Sequence, residues 1–190
     1  MTSLFELLTT LNPWWTGQEF ETGKPRLSYF SKIQRYLETD EIMVLSGVRR
    51  SGKTTLLFQT IKYLIDSQHV PPRNILFVNC DEPEISGLEN PLSKVVDTYQ
   101  KEIPAKGTLY LVFDEIQSIQ GWERIIKSLY DRKKYKIIIS GSSSYLLDSQ
   151  LSTLLSGRFF TIPVFPLDFR DYLAFPGIEK TDEPFDLAAR

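Results

Sequence analysis

Short apolar runs rich in β-branched residues alternate with longer helical patterns, and this alternation limits the possible folds more than any other feature. The runs cover residues 42–45, 75–78, 109–113, 137–139 and 159–164. Runs that are apolar at nearly every position form strands covered on both faces, as in a parallel sheet with right-handed helical crossovers. The candidate crossover helices cover residues 54–66, 91–101, 122–132 and 149–155. The alternation therefore predicts an α/β fold with a central, mainly parallel sheet.

A glycine-rich loop directly follows the first run. Residues 47–54, the P-loop, read GVRRSGKT and match G-x-x-x-x-G-K-[ST] between a predicted strand and a predicted helix. Gly47 and Gly52 allow the loop N–H groups to turn inward and bind phosphate oxygens. We expect Lys53 to reach the β- and γ-phosphates and Thr54 to be a ligand of Mg²⁺, while the two loop arginines either contact phosphate or point to solvent. The predicted nucleotide-binding residues are Gly47, Val48, Arg49, Arg50, Ser51, Gly52, Lys53, Thr54 and Thr55.

The third run ends in two carboxylates, Asp114 and Glu115. Ligands of open α/β sheets bind at the carboxyl ends of the strands, where this pair is expected to lie. We expect Asp114 to hold the Mg²⁺ shell and Glu115 to accept a proton from the water that attacks the γ-phosphate. Acidic residues also close strands without a function. The position of the pair two strands after the P-loop favours the functional interpretation.

Polar residues follow the fourth run and precede the fifth. Ser140 is the first candidate, and Ser142 the second, for orienting the attacking water or contacting the γ-phosphate. Serine and glycine are also common in ordinary turns and helix caps. Arg158 precedes the fifth run, and it either neutralises charge on the transferred phosphoryl group, in cis or in trans, or pairs with a surface carboxylate.

Composition narrows the possible partners. The 190 residues carry 22 Lys and Arg against 24 Asp and Glu, a formal charge of -2, so no global positive field attracts DNA or anionic lipid. One cysteine and one histidine, Cys80 and His69, exclude an internal disulfide and a histidine-based metal cage, and we expect both to be structural or incidental. The sequence shows neither a secretory signal nor a long apolar stretch that would span a membrane, which predicts a cytoplasmic protein.

Four motifs in this order resemble the bacterial and archaeal AAA-like P-loop ATPase family: GVRRSGKT, LYLVFDEIQ followed by GWE, IIISGSSSYLL, and LLSGRFFTIPVFPLDFRDYL. The resemblance covers about residues 30–173. It implies a three-layer P-loop NTPase sandwich of AAA type with strand order 5-1-4-3-2. It also implies that Lys53 and Thr54 bind nucleotide, that Asp114 and Glu115 act on metal and water, and that Arg158 occupies a finger-like position before the fifth strand.

The resemblance also predicts the domain organisation. Residues 1–27 are expected to form a helix and a loop packed on the core, residues 28–175 the ATPase core, and residues 176–190 an acidic tail. Family members continue past the equivalent of Phe169 and usually carry a nuclease-like carboxy-terminal domain, so we interpret the tail as the remnant of a missing region. Trp14 and Trp15 follow the first helix, and we expect them to be buried, with a partner surface or a base-stacking shelf as the alternative.

The leading hypothesis is a Mg²⁺-dependent ATPase, slow in isolation, that couples its nucleotide state to a protein partner, to a DNA-linked process or to self-association through Arg158. A second hypothesis is a nucleotide-binding module without efficient hydrolysis. A small-molecule kinase is less favoured because the Asp114–Glu115 pair suits water activation and the chain shows no arginine-rich lid. A GTPase is disfavoured because no N-K-x-D or T-K-x-D motif is present.

Overall fold

The computed structural model describes residues 3–143, 155, 157–168 and 171. Its strands are β1 to β5, at Ile42–Ser46, Ile75–Asn79, Leu109–Asp114, Tyr135–Gly141 and Phe159–Pro163. Its helices are α1 to α6, at Leu4–Leu11, Leu27–Leu37, Lys53–Asp66, Pro83–Ser86, Pro91–Glu102 and Trp122–Asp131. Single 3-10 turns lie at Pro13–Thr16, Pro72–Asn74 and Ile116–Ser118. These turns and α4 are too short to show a periodic pattern in the sequence. Most of the helix predicted at 149–155 lies outside the described residues.

The strands form one sheet in the order β2-β3-β4-β1-β5, and every pair is parallel. This order confirms the predicted 5-1-4-3-2 arrangement. Every residue of β1 and β4 is buried, so helices or loops cover both faces at the centre of the sheet.

The parallel register brings the strand ends together. Ser46, the last residue of β1, is opposite Gly141 of β4 and Pro163 of β5. Asn79 of β2 is likewise opposite Asp114 of β3. The P-loop and the acidic pair therefore both follow carboxyl ends of strands, on the same side of the sheet.

The segment after α1 covers the free edge of β2. The Asn12 side chain accepts from Phe77 N at 2.6 Å and donates to Phe77 O at 2.9 Å, as a neighbouring strand would. The indole N–H groups of Trp14 and Trp15 both donate to Ile75 O, at 3.1 and 2.8 Å. Both tryptophans are buried, as expected. Side chains thus satisfy polar groups that an edge strand would otherwise leave unpaired.

None of the helices in the described part of the chain is both long and apolar enough to cross a lipid bilayer.

Replacement of Asn12 by alanine is expected to lower the free energy of unfolding by about 2–4 kcal/mol, because it leaves the buried N–H and C=O of Phe77 without partners. Urea denaturation followed by circular dichroism measures this loss. Thr10→Ala is the control, since Thr10 is exposed and its hydroxyl donates only to Glu6 O, one turn earlier. Equal losses for the two variants would contradict the role of Asn12 at the sheet edge.

Candidate nucleotide site

The P-loop connects the end of β1 to the start of α3. Each of its two glycines is required for a different structural reason. A Cβ at Gly47 would lie 2.2 Å from the backbone oxygen of Val164, where the chain passes after β5. Gly52 caps α3 with φ +91°, a left-handed conformation that favours glycine. The loop therefore requires both residues for its shape, independently of any ligand.

Lys53 is the first residue of α3 and is only 3% exposed. Its Nζ donates to the carbonyl oxygens of Gly47 at 3.2 Å and Val48 at 3.3 Å. It also lies 3.4 Å from Glu115 Oε1. The amine thus lies between the P-loop and the acidic end of β3.

Asp114 is a buried carboxylate that joins three elements. Thr54 Oγ1, on α3, donates to its Oδ2 at 2.6 Å. Ser140 Oγ, on β4, donates to its Oδ1. Burial raises the pKa of Asp114, against the hydrogen bonds from Ser140 and Thr54, which lower it. The two hydroxyl donors therefore fix the position of the carboxylate, although burial disfavours its charged form.

Glu115 follows in a left-handed conformation, with φ 48°, and begins the 3-10 turn Ile116–Ser118. Its backbone N–H donates to Ser140 Oγ at 3.2 Å. Gln117 Nε2 donates to its Oε2 at 2.5 Å. With Lys53 at Oε1, both carboxylate oxygens of Glu115 have partners.

The remaining P-loop residues surround this centre. Val48, Arg49 and Arg50 are exposed, and Arg50 has φ 65°. Ser51 is buried, and its Oγ has no hydrogen-bond partner among the described residues. Thr55 is half-buried on α3 and lies against Gly23, since a Cβ at Gly23 would be 3.1 Å from Thr55 Cγ2.

Ser140 is fully buried, and its hydroxyl contacts the Asp114 carboxylate and the Glu115 N–H. This arrangement suits a residue that holds the acidic pair in place. Ser142, the second candidate, lies just past the end of β4 and is half-buried.

Arg158 precedes β5 and lies at the amino-terminal ends of the strands, a position that does not fit the cis role, which was one of the three interpretations left open. Its carbonyl accepts from Ile42 N, at the start of β1, at 2.8 Å, whereas the P-loop follows the end of that strand. The length of β1 separates the two by roughly 16 Å. Arg158 Nη1 pairs instead with Asp131 Oδ1 at 3.2 Å, which was the alternative expectation.

Cys80 and His69 lie outside this polar cluster. Cys80 follows β2, is fully buried, and donates its backbone N–H to Asp114 O at 2.9 Å. Burial raises the pKa of its thiol, which keeps the sulfur protonated. His69 lies in an exposed turn after α3.

A sequence profile of the AAA domain family matches residues 39–173, which include the P-loop, the acidic pair, Ser140 and Arg158. The chain belongs to this family. Membership supports nucleotide binding as a general property of this AAA domain.

Relatives with similar sequences are longer than this AAA domain. An uncharacterized protein of Haemophilus influenzae is 34% identical over 162 residues, which are 85% of this chain and 40% of that protein. An uncharacterized protein of Methanocaldococcus jannaschii is 33% identical over 144 residues, which are 75% of this chain and 30% of that protein. The chain therefore spans less than half the length of these relatives.

Among solved structures, the ORC1 protein of Aeropyrum pernix, determined in complex with DNA, is similar with a TM-score of 0.52 and 13% identity. The similarity covers 77% of this chain and 47% of that chain. At this level of identity it shows the α/β fold alone.

Two residues of the site are not among the candidates identified from the sequence. Gln117 contacts Glu115, and it is the last residue of the LYLVFDEIQ motif, two residues after Glu115. Arg26 is 4% exposed, and its guanidinium donates to Ser51 O of the P-loop at 2.8 Å. Arg26 precedes Ser51 by 25 residues, so nothing local in the sequence connects them.

Replacement of Asp114 by asparagine is expected to raise the free energy of unfolding of the nucleotide-free domain by about 1 kcal/mol, because a neutral amide avoids the desolvation that burial imposes on the carboxylate. The folded-state pKa of Asp114 is raised, so the carboxyl stabilises the fold less as pH rises through that pKa. The difference between variant and parent should therefore widen from mildly acidic to neutral pH in denaturant titrations. Asp97→Asn, at an exposed position of α5, is the control. A loss of stability in Asp114→Asn at neutral pH would contradict this electrostatic account.

Proposed function

We propose that this AAA domain binds ATP at its P-loop and hydrolyses it with Glu115 as the general base. The observation that carries the proposal is the 2.6 Å hydrogen bond from Thr54 Oγ1 to Asp114 Oδ2, which joins the P-loop to the acidic end of β3. Lys53 and Glu115 meet close by, with Nζ and Oε1 3.4 Å apart. A phosphate-binding amine, two hard oxygen donors and a carboxylate base are thus brought to one place.

The oxygen donors of Thr54 and Asp114 fit a magnesium ion. Mg²⁺ prefers oxygen ligands and is usually bound through one or two protein groups together with substrate phosphates and waters. Thr54 and Asp114 would hold the ion beside a bound triphosphate. Bound there, Mg²⁺ would neutralise negative charge on the phosphate oxygens.

Lys53 changes partners when a triphosphate binds. Its amine now donates to neutral carbonyl oxygens, and anionic phosphate oxygens are stronger acceptors. Movement of Lys53 to the phosphate leaves Glu115 with one partner, Gln117, and frees Oε1 to accept a proton from the attacking water. Ser140 keeps Asp114 and the Glu115 backbone fixed during this step.

Nucleotide binding without efficient hydrolysis is the second candidate function. Both carboxylate oxygens of Glu115 have partners, Oε1 with Lys53 and Oε2 with Gln117. If the Lys53 amine kept Oε1 after a triphosphate bound, Glu115 would have no free oxygen to accept the proton of the water, and ATP would be bound without efficient hydrolysis.

The coupled process would involve a protein partner or a DNA-linked activity. A formal charge of -2 gives the domain no general attraction for DNA, so a DNA contact would have to be local. The single, buried and unpaired cysteine suits the reducing cytoplasm as the compartment.

Lys53→Ala is expected to weaken ATP binding at least about tenfold, and Glu115→Gln to keep binding while lowering phosphate release about 100-fold. Calorimetric titration gives the affinity, and phosphate release is measured with ATP and GTP side by side. The control is Lys62→Ala, which removes an exposed lysine from the same helix.

The outcomes separate the two candidate functions. Hydrolysis that neither variant changes would contradict the proposed ATPase. Tight ATP binding by the parent domain with no phosphate release over hours would establish the binding module instead.

Arg158 would contact nucleotide only from a second copy of the chain. It lies at the amino-terminal ends of the strands, whereas its own P-loop follows the carboxyl end of β1. Its ion pair with Asp131 is exposed, with side chains 39% and 45% accessible, so a competing anion can reach the guanidinium. We therefore propose self-association as the context in which Arg158 acts on the transferred phosphoryl group.

Arg158→Ala is expected to lower phosphate release about tenfold or more at high protein concentration while leaving ATP affinity of the isolated domain unchanged. Light scattering with and without ATP tests whether the nucleotide promotes assembly. Lys127→Ala is the matched control, since Lys127 also pairs with Asp131, at 2.7 Å. An unchanged particle mass with ATP, together with unchanged phosphate release in Arg158→Ala, would eliminate the trans role.

A further inference from the structure

Three segments that are distant in sequence meet behind the P-loop. The loop before α2 is anchored to α3 by Gln59, whose Nε2 donates to Thr22 O at 2.9 Å and Lys24 O at 2.8 Å. Gln59 Oε1 accepts from Arg26 N at 3.3 Å. The backbone of Arg26 is therefore fixed to α3, the helix that follows the P-loop.

The Arg26 guanidinium connects the P-loop to the chain after β5. Nη1 donates to Ser51 O at 2.8 Å and to Phe165 O at 3.0 Å. Nη2 pairs with Asp171 Oδ2 at 2.9 Å. The guanidinium carbon also lies 4.6 Å from the centre of the Tyr29 ring. A planar group with several fixed donors can bind these acceptors together, which a lysine amine could not reproduce.

The chain after β5 touches the P-loop at a second point. The backbone oxygen of Val164 leaves no room for a Cβ at Gly47, at 2.2 Å. The next residue, Phe165, donates its N–H to the Tyr29 hydroxyl at 3.1 Å and gives its C=O to Arg26. Gly47 thus lies against Val164, and Ser51 is linked to Phe165 through Arg26.

The hydrogen bond from Arg26 to the Ser51 carbonyl also affects the direction of the N–H group in the same peptide. In a trans peptide the C=O and the following N–H point in opposite directions. A donor that holds the Ser51 C=O therefore also fixes the direction of the Gly52 N–H, which belongs to the turn that cradles phosphate in loops of this kind. A ligand that accepts from the Gly52 N–H would therefore also fix the Ser51 C=O against Arg26, and through Arg26 it would restrain Phe165.

We propose that Arg26 is a positioning residue that couples nucleotide binding at the P-loop to the segment Val164–Phe165 after β5. The proposal rests on the proposed binding of nucleotide at the P-loop. Occupation of the loop strengthens the hold of Arg26 and Tyr29 on Phe165, and by reciprocity a fixed Phe165 favours the binding-competent loop. The exit of the chain from the ATPase core is thereby sensitive to the nucleotide state.

Two measurements on the full chain test the coupling: affinity for ADP with Mg²⁺, and hydrogen exchange of the Val164–Phe165 amides with and without ADP. In the parent chain, ADP should slow exchange at these amides. Arg26→Lys should bind ADP about tenfold more weakly and should lose this slowing. Arg35→Lys, the same exchange at an exposed position of α2, should behave as the parent.

Tyr29→Phe is a milder variant that keeps the ring against Arg26 and removes only the hydroxyl that holds Phe165 N. It should fold even if Arg26→Lys does not, and it should reduce the ADP-dependent slowing at Phe165. A parent chain that binds no ADP would refute the proposed function itself. ADP binding without any change of exchange at Val164–Phe165, or with the same change in Tyr29→Phe as in the parent, would overturn the coupling and leave the nucleotide site standing.

Discussion

The hydrogen bonds to the buried Asp114 carboxylate hold the site together. Thr54 comes from the helix after the P-loop, Ser140 from the neighbouring strand, and the carboxylate itself ends β3. These partners meet because the carboxyl ends of parallel strands all lie on one side of the sheet. A buried carboxylate is costly, and the two hydroxyl donors offset only part of that cost.

Lys53 and Glu115 partly neutralise each other's charge, with Nζ and Oε1 3.4 Å apart. The amine is nearly fully buried, and a buried cation without partners would be strongly unfavourable. Carbonyl oxygens of the loop and the Glu115 carboxylate supply those partners at 3.2 to 3.4 Å. In the proposed function, phosphate oxygens would replace these partners of Lys53, and the same movement of Lys53 would free Glu115 to act as the base.

The local motifs could be predicted from the sequence because their chemistry is short-range. A strand followed by GVRRSGKT, and a buried strand ending in Asp114, identify positions that parallel topology then brings together. The strand order came from the resemblance to a family, since apolar runs specify strands but not their neighbours. The sequence left three interpretations of Arg158 open, because a position before β5 does not by itself specify which side chains lie within reach of the guanidinium. Arg26 could not be found at all, since its partner Phe165 is 139 residues away. Long-range contacts of a single side chain leave no periodic trace in a sequence.

A loop that points its N–H groups at a phosphate must point carbonyl groups elsewhere, and those carbonyls need donors of their own. Two cationic side chains supply these donors. Lys53 donates to the carbonyls of Gly47 and Val48 from within the site, and in the proposed function its amine would move to a bound phosphate. Arg26 serves Ser51 from behind the loop, where its ion pair with Asp171 and its bond to Phe165 keep it in place. The loop can therefore lose the contacts of Lys53 on binding nucleotide and still keep its shape, because Arg26 holds a different carbonyl by contacts that the nucleotide does not replace.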